Sequence, residues 1–247
     1  MIGRRFSVAL LGFLLLSPAP ARADAVVADL SSHLIAITTG FTGASVVLFG
    51  ATDGPADVVA VVRGPERDVT IWRKEKIAGI WANAEAVTFA NVPSFYAVAA
   101  SRPLEGLMQP SAAALYRVGV RNLKFEAKSD AAPDRLHLFS DALIGVQQRA
   151  GVFAATTGKI AFLGERLFRT TISFPANVPT GSYLVEIFLV RDNDVIGAQT
   201  TPLVVSKVGV DAAVFDFARR DALAYGAIAV LIAAMAGWFA SLPFRNT

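Results

Sequence analysis

Residues 223–242 are twenty consecutive positions without a formal charge, and no other feature restricts the folding of this chain as strongly. A helix of that length rises about 30 Å, the thickness of a bilayer's hydrocarbon core. Tyr225 lies near one end of the run and Trp238 and Phe239 near the other, where interfacial aromatics are expected, and Pro243 closes it. The pattern predicts a C-terminal transmembrane helix over 223–242 with a cytoplasmic tail over 243–247. Within it Gly226, Ala229, Ala233, Gly237 and Ser241, preceded by Ala222, recur at helical spacing. Small residues let two helix backbones approach closely, so the stripe is a candidate helix–helix contact, with a second copy or with a membrane-protein partner.

The N-terminus carries a second apolar run. Arg4 and Arg5 precede 11 uninterrupted residues, 6–16, without a charge; Ser17, Pro18 and Pro20 follow, and then the small-residue pattern Ala21-Arg22-Ala23. These parts in this order predict a secretory signal over 1–23, cleaved after Ala23 or, as the alternative, after Ala25. Eleven helical residues rise only about 16 Å and do not cross a bilayer. The signal places the following domain in the periplasm and the C-terminal end inside. Arg219 and Arg220 outside, against Arg245 in the tail, oppose that orientation weakly.

The formal charge of +3 comes from 23 Lys+Arg and 20 Asp+Glu. Arg4, Arg5 and Arg22 all lie in the signal, so the processed chain balances at 20 and 20, and a polybasic nucleic-acid reading fails. The absence of cysteine excludes disulfide scaffolds, thiol catalysis and cysteine-ligated metals.

Between the two apolar runs, short β-branched or aromatic stretches at 33–38, 44–49, 57–62, 69–72, 86–89 and 95–99 alternate with Gly- and Pro-rich turns. They predict an immunoglobulin-like β-sandwich lobe over 24–103. A smaller α+β lobe over 104–207 follows. Its first helix is read over 111–128, with Tyr116, Val120, Leu123 and Ala127 on one face; a second carries Leu136, Phe139, Leu143 and Val146 and is capped by Gly151. Four strands at 159–163, 168–174, 183–190 and 195–205 complete it, the last two joined by a hairpin turn at Arg191-Asp192-Asn193-Asp194. A juxtamembrane segment, 208–222, leads into the span. The fold class is thus mainly β, in two lobes, with one transmembrane helix.

Ala-Asn-Val-Pro occurs twice, at 90–93 and 176–179, each time ahead of a strand with an early Tyr, Tyr96 or Tyr183. This spacing of 86 residues fits one immunoglobulin-like module, and chance similarity of two turns fits equally.

Several of these segments carry a family likeness: Gly40-Phe41-Thr42-Gly43-Ala44, Val62-Arg63-Gly64-Pro65, Val92-Pro93-Ser94-Phe95-Tyr96, the run from Pro175 through Asn177, Pro179 and Gly181 to Tyr183, and Ala224-Tyr225-Gly226. Through them the chain resembles the alphaproteobacterial putative transmembrane protein family, over nearly all of its processed length. The resemblance implies a signal, an exported domain and one C-terminal span. It brings no catalytic residue.

Chemical motifs are scarce. His33 and His137 are the two histidines, and neither H-E-x-x-H nor G-x-S-x-G occurs. Thr157-Gly158-Lys159-Ile160 lacks the first glycine and the Ser or Thr of a P-loop. Asp192-Asn193-Asp194 starts like a calcium loop but has Leu203 where the twelfth position needs Glu. Glu75, Glu85 and Glu186 have a spacing that proposes no reaction. Trp72 and Trp81 flank Arg73-Lys74-Glu75-Lys76; alternation could expose an aromatic and basic surface there, but core tryptophans beside a charge-blunted edge are the commoner arrangement and the expected one.

Arg117, Arg121, Lys124 and Lys128 recur at i, i+4, i+7 and i+11 of the expected 111–128 helix and form a candidate surface for anionic lipid or an acidic partner. The expectation is a non-enzymatic accessory protein, anchored in the inner membrane and assisting a partner such as a transporter or respiratory complex. The alternative is a tethered module binding anionic lipid or envelope polysaccharide. No cofactor, metal or nucleic acid is implied.

Overall fold

Residues 58–62, Val-Val-Ala-Val-Val, are apolar without alternation, the pattern of a strand covered on both faces. In the computed structural model, which describes residues 26–77, 79–129 and 132–241, they form β4 (Asp57–Arg63), and all five are buried. β4 lies inside a six-stranded sheet. Its neighbours on one side are β12 (Gly181–Arg191), β13 (Asp194–Lys207) and β2 (Leu34–Ile37); on the other side lie β7 (Tyr96–Ala100) and β9 (Gly158–Lys159). Pairing is antiparallel except at the β2–β13 and β7–β9 rims.

A second, antiparallel sheet runs β1 (Val26–Leu30), β3 (Gly43–Thr52), β11 (Leu167–Pro175), β10 (Ala161–Leu163). β11 alternates cleanly: Phe168, Thr170, Ile172 and Phe174 are buried while the residues between them are exposed. One apolar face per strand is what a two-layer sandwich requires. The β12–β13 hairpin turns at Asp192 (φ 52°) and Asn193 (φ 67°), the left-handed pair of a two-residue type I′ turn.

The protein is mainly β, and its sandwich is compatible with an immunoglobulin-like domain. The expected fold class is nevertheless corrected in two respects. First, the stretch expected to fold as its own sandwich shares both sheets with the stretch after it: β3 pairs with β11 and β4 with β12. Short strands with exposed edges are satisfied by whichever partner buries their apolar face, and sequence order does not decide which.

Second, the C-terminal transmembrane helix over 223–242 is not supported. α3 (Val210–Arg220) and α4 (Ala222–Ser241) end the described chain, but among the described residues no helix is long and apolar enough to cross a membrane. The expected signal, 1–23, and tail, 243–247, lie outside the described residues.

A third sheet projects from the sandwich as a long hairpin, β5 (Glu66–Ile77) with β6 (Ile80–Pro93), flanked at its base by the two-residue β8 (Glu126–Ala127). Its base is buried through Val87, Phe89 and Val92, and its outer half is largely exposed.

The expected helix over 111–128 is also corrected. α1 (Pro110–Leu115) stops after six residues; Arg117 turns left-handed (φ 52°), a 3-10 turn spans Val120–Asn122, and β8 follows. The reason is competition for carbonyls. A continuing helix would offer the Tyr116 and Arg117 oxygens to amides four residues on. Here Arg63 donates to Tyr116 O, and the Tyr96 hydroxyl donates to Arg117 O at 2.8 Å. α2 (Pro133–Arg149) does form, with Phe139 and Leu143 buried and Gly151 left-handed (φ 74°) after it.

Candidate functional site

Segments that carry the family likeness meet at one end of the sandwich. Gly64-Pro65 follows β4, Ser94-Phe95 precedes β7, and Gly181 opens β12. Gly64 N–H donates to Phe95 O (2.9 Å) and Ser94 N–H to Pro65 O (2.9 Å). Phe95 stacks on Phe174 with ring centroids 4.9 Å apart and lies 5.9 Å from Tyr183. Gly64 is required there: a Cβ would sit 2.7 Å from Ser94 Oγ, 2.9 Å from Phe95 N and 3.0 Å from Tyr183 Cε1.

On the outer face of the six-stranded sheet, Arg63 pairs with Glu186 on the neighbouring strand and with the carbonyls of Tyr116 and Arg117. Tyr96, directly opposite Arg63, is buried; burial raises its phenol well above the ordinary value, with Arg63 opposing in part. A phenol locked neutral and a guanidinium occupied by a carboxylate and two carbonyls act as a strut that pins residues 116–118 onto the sheet. Beside this strut lies an open cleft of about 670 Å³, floored by Tyr96 and Val98 and walled by residues 104–122, α2 and residues 154–157. Arg121, Glu105 and Asp141 line it, so its charge is mixed.

The four basic residues expected on one helix face are dispersed. Arg117 faces Glu66 at 3.8 Å, Lys128 pairs with Asp68 at 2.6 Å, Arg121 enters the cleft wall, and Lys124 is exposed. The small-residue stripe does lie on α4. Gly226, Ala229, Ala233 and Gly237 are exposed, and a methyl group added at Gly226 or Gly237 would meet nothing within 4 Å; the Ser241 side chain is not described. His33 bonds Asp29 at 2.8 Å on the surface, and His137 is exposed on α2. Among the described residues no group of three His, Asp or Glu could hold a metal ion.

Trp72 and Trp81 are where sequence reasoning missed. Neither is in the core: Trp72 is 55% and Trp81 68% exposed, with Ile80 at the tip 73% exposed. The signal was present. Four consecutive charged residues, 73–76, put charge on both faces of a strand, so their tryptophan neighbours share solvent-facing surfaces.

Fold and surfaces together define a β-sandwich protein with a projecting aromatic arm and two C-terminal helices, of which the second is uncharged. The chain belongs to the family described as "Putative transmembrane protein (Alph_Pro_TM)", whose model matches residues 25–246. Neither a curated protein nor a solved structure matches it.

Proposed function

We propose that this chain is a non-catalytic interaction protein of the cell envelope, exported to the periplasm and assisting a membrane-protein partner of the transporter or respiratory-complex kind. One observation carries the reading: the side chains of α4 from Ala222 to Trp238 are exposed and apolar on every side, with Leu223, Ile228, Leu231, Ile232 and Trp238 among them. A helix that is apolar all round works covered by another apolar surface. Its small residues allow a partner helix to approach closely. The family description as a membrane protein supports the setting. The alternative, a lipid or polysaccharide module built on Arg117, Arg121, Lys124 and Lys128, has less support, since Arg117 and Lys128 face acids of their own chain.

Crosslinking of the full chain in native membranes, followed by recovery in mild detergent, tests this. Wild type is expected to bring down one membrane protein in stoichiometric amount, and Ala233→Leu with Gly237→Leu to lose it. Undiminished recovery by that double variant discards the role given to α4.

A further inference from the structure

We propose that the outer half of the β5–β6 arm is a docking surface for an anionic phospholipid bilayer, held by Trp72, Trp81, Lys74 and Lys76, with Ile80 at its tip. Register places these side chains together. Trp72 is opposite Ala86, Lys74 opposite Asn83 and Lys76 opposite Trp81, and residues directly opposite in an antiparallel pair share a face. The register shift between Arg73 and Lys74 places its extra residue in β6, so the even positions of β5 stay on one side. The two indoles therefore lie about four residues, or roughly 13 Å, apart along one face with both ammonium groups between or beside them.

Charge on this face is divided. Its acids, Glu66 and Asp68, lie at the base of the arm and are met by Arg117 and Lys128. Towards the tip, Glu75 and Glu85 belong to the opposite face, where Arg73 pairs with both (2.6 and 3.4 Å) and Arg135 with Glu85 (3.1 Å). Lys74 and Lys76 have no carboxylate within ion-pair distance among the described residues. Two uncompensated ammonium groups flanked by two exposed indoles match a membrane–water interface: indole settles at headgroup depth, and lysine stems lie along apolar surface while their heads reach anionic phosphates. An exposed isoleucine beside the turn adds apolar area where the arm would enter first.

This inference rests on the membrane setting proposed above, but the two fail separately. Three full-length variants, each retaining one of the three tryptophans, are mixed with vesicles of phosphatidylcholine alone or with phosphatidylglycerol, with bromine on the acyl chains as quencher. Trp81 fluorescence is expected to be quenched in the anionic vesicles, less so at high salt, and little in neutral ones. Lys74→Gln with Lys76→Gln should lower the engaged-to-free ratio of the arm roughly thirtyfold, while leaving the melting temperature unchanged because both side chains are exposed. Trp238 reports the C-terminal helix independently and is expected to ignore the lysine substitutions. Trp81 unquenched by anionic vesicles, or quenched equally in both compositions with and without the two lysines, overturns the proposal, whatever the partner recovery shows.

Discussion

The two Ala-Asn-Val-Pro segments begin from the same residues and end in different jobs. Both lead from one sheet into the six-stranded sheet, and the strands they feed, β7 and β12, flank β4 on its two sides. In the first, Asn91 adopts φ 56° and bulges the end of β6, its amide reaching Glu126 at 3.3 Å. In the second, Asn177 sits in the β11–β12 turn and donates to Ala150 O at 2.9 Å. Tyr96 points to the outer face and bonds Arg117, 21 residues later in the chain. Tyr183 points inward and bonds Pro179 O, four residues back, at 2.5 Å. That short backward bond is similar to the tyrosine corner found in immunoglobulin-like sandwiches. A shared tetrapeptide thus sets the start of a strand and a buried Tyr, while the layer against which the ring packs decides what the hydroxyl holds.

If the starts of β7 and β12 act as one unit through Phe95, Phe95→Ala should be the most damaging change, at about 3–5 kcal/mol in urea unfolding, because it removes a buried ring that immediately precedes β7 and packs on Phe174 and on Tyr183 of β12. A cost near that of an exposed site would show the two strand starts to be independent. Gly64→Ala comes next, at about 1–3 kcal/mol, since its methyl group would press on backbone and on Tyr183 together. Glu186→Gln isolates Arg63 on the Tyr96 side alone and should cost about 1–3 kcal/mol, with hydrogen exchange rising at residues 116–118 and not around Pro179.

Tyr183→Phe should cost least, about 1 kcal/mol. It also carries a pH signature. Burial pushes the Tyr183 phenol up to about 12 from an ordinary value of 10. Between those values the unfolded chain has released the proton and the folded chain keeps it, so stability is full below pH 10 and falls as pH rises towards 12. Tyr183→Phe should flatten that fall. Tyr96, shifted in the same direction, maintains what slope remains.

Local signals were readable wherever the structure that satisfies them is local. Alternation in 168–174, the unbroken run 57–62 and the turn at Asp192-Asn193 each match a described element. The basic face of 111–128 was not readable, because its fate depends on Arg63 and Tyr96 taking carbonyls more than 20 residues away. Partner choice between strands was hidden for the same reason: nothing within 43–52 specifies 167–175. At the C-terminus the uncharged run is helical as its composition suggests, but among the described residues no helix is long and apolar enough to cross a membrane. Of the candidate surfaces, the four basic residues were legible as residues and not as a surface. The arm's tryptophans were legible as both and assigned to the wrong side.

The crossing of strands between early and late segments also has a consequence for how the chain is made. β4 is synthesised about 120 residues before β12, the strand that completes its pairing. At ordinary translation speeds that is a wait of roughly 6–25 s. Throughout it Val58, Val59, Val61 and Val62 form an uncharged, β-prone run of the type that recruits its like from other chains. An early release from the ribosome or a stall during translocation would therefore leave the most self-adhesive part of the sandwich bare. The late hairpin of β12 and β13 ends that hazard.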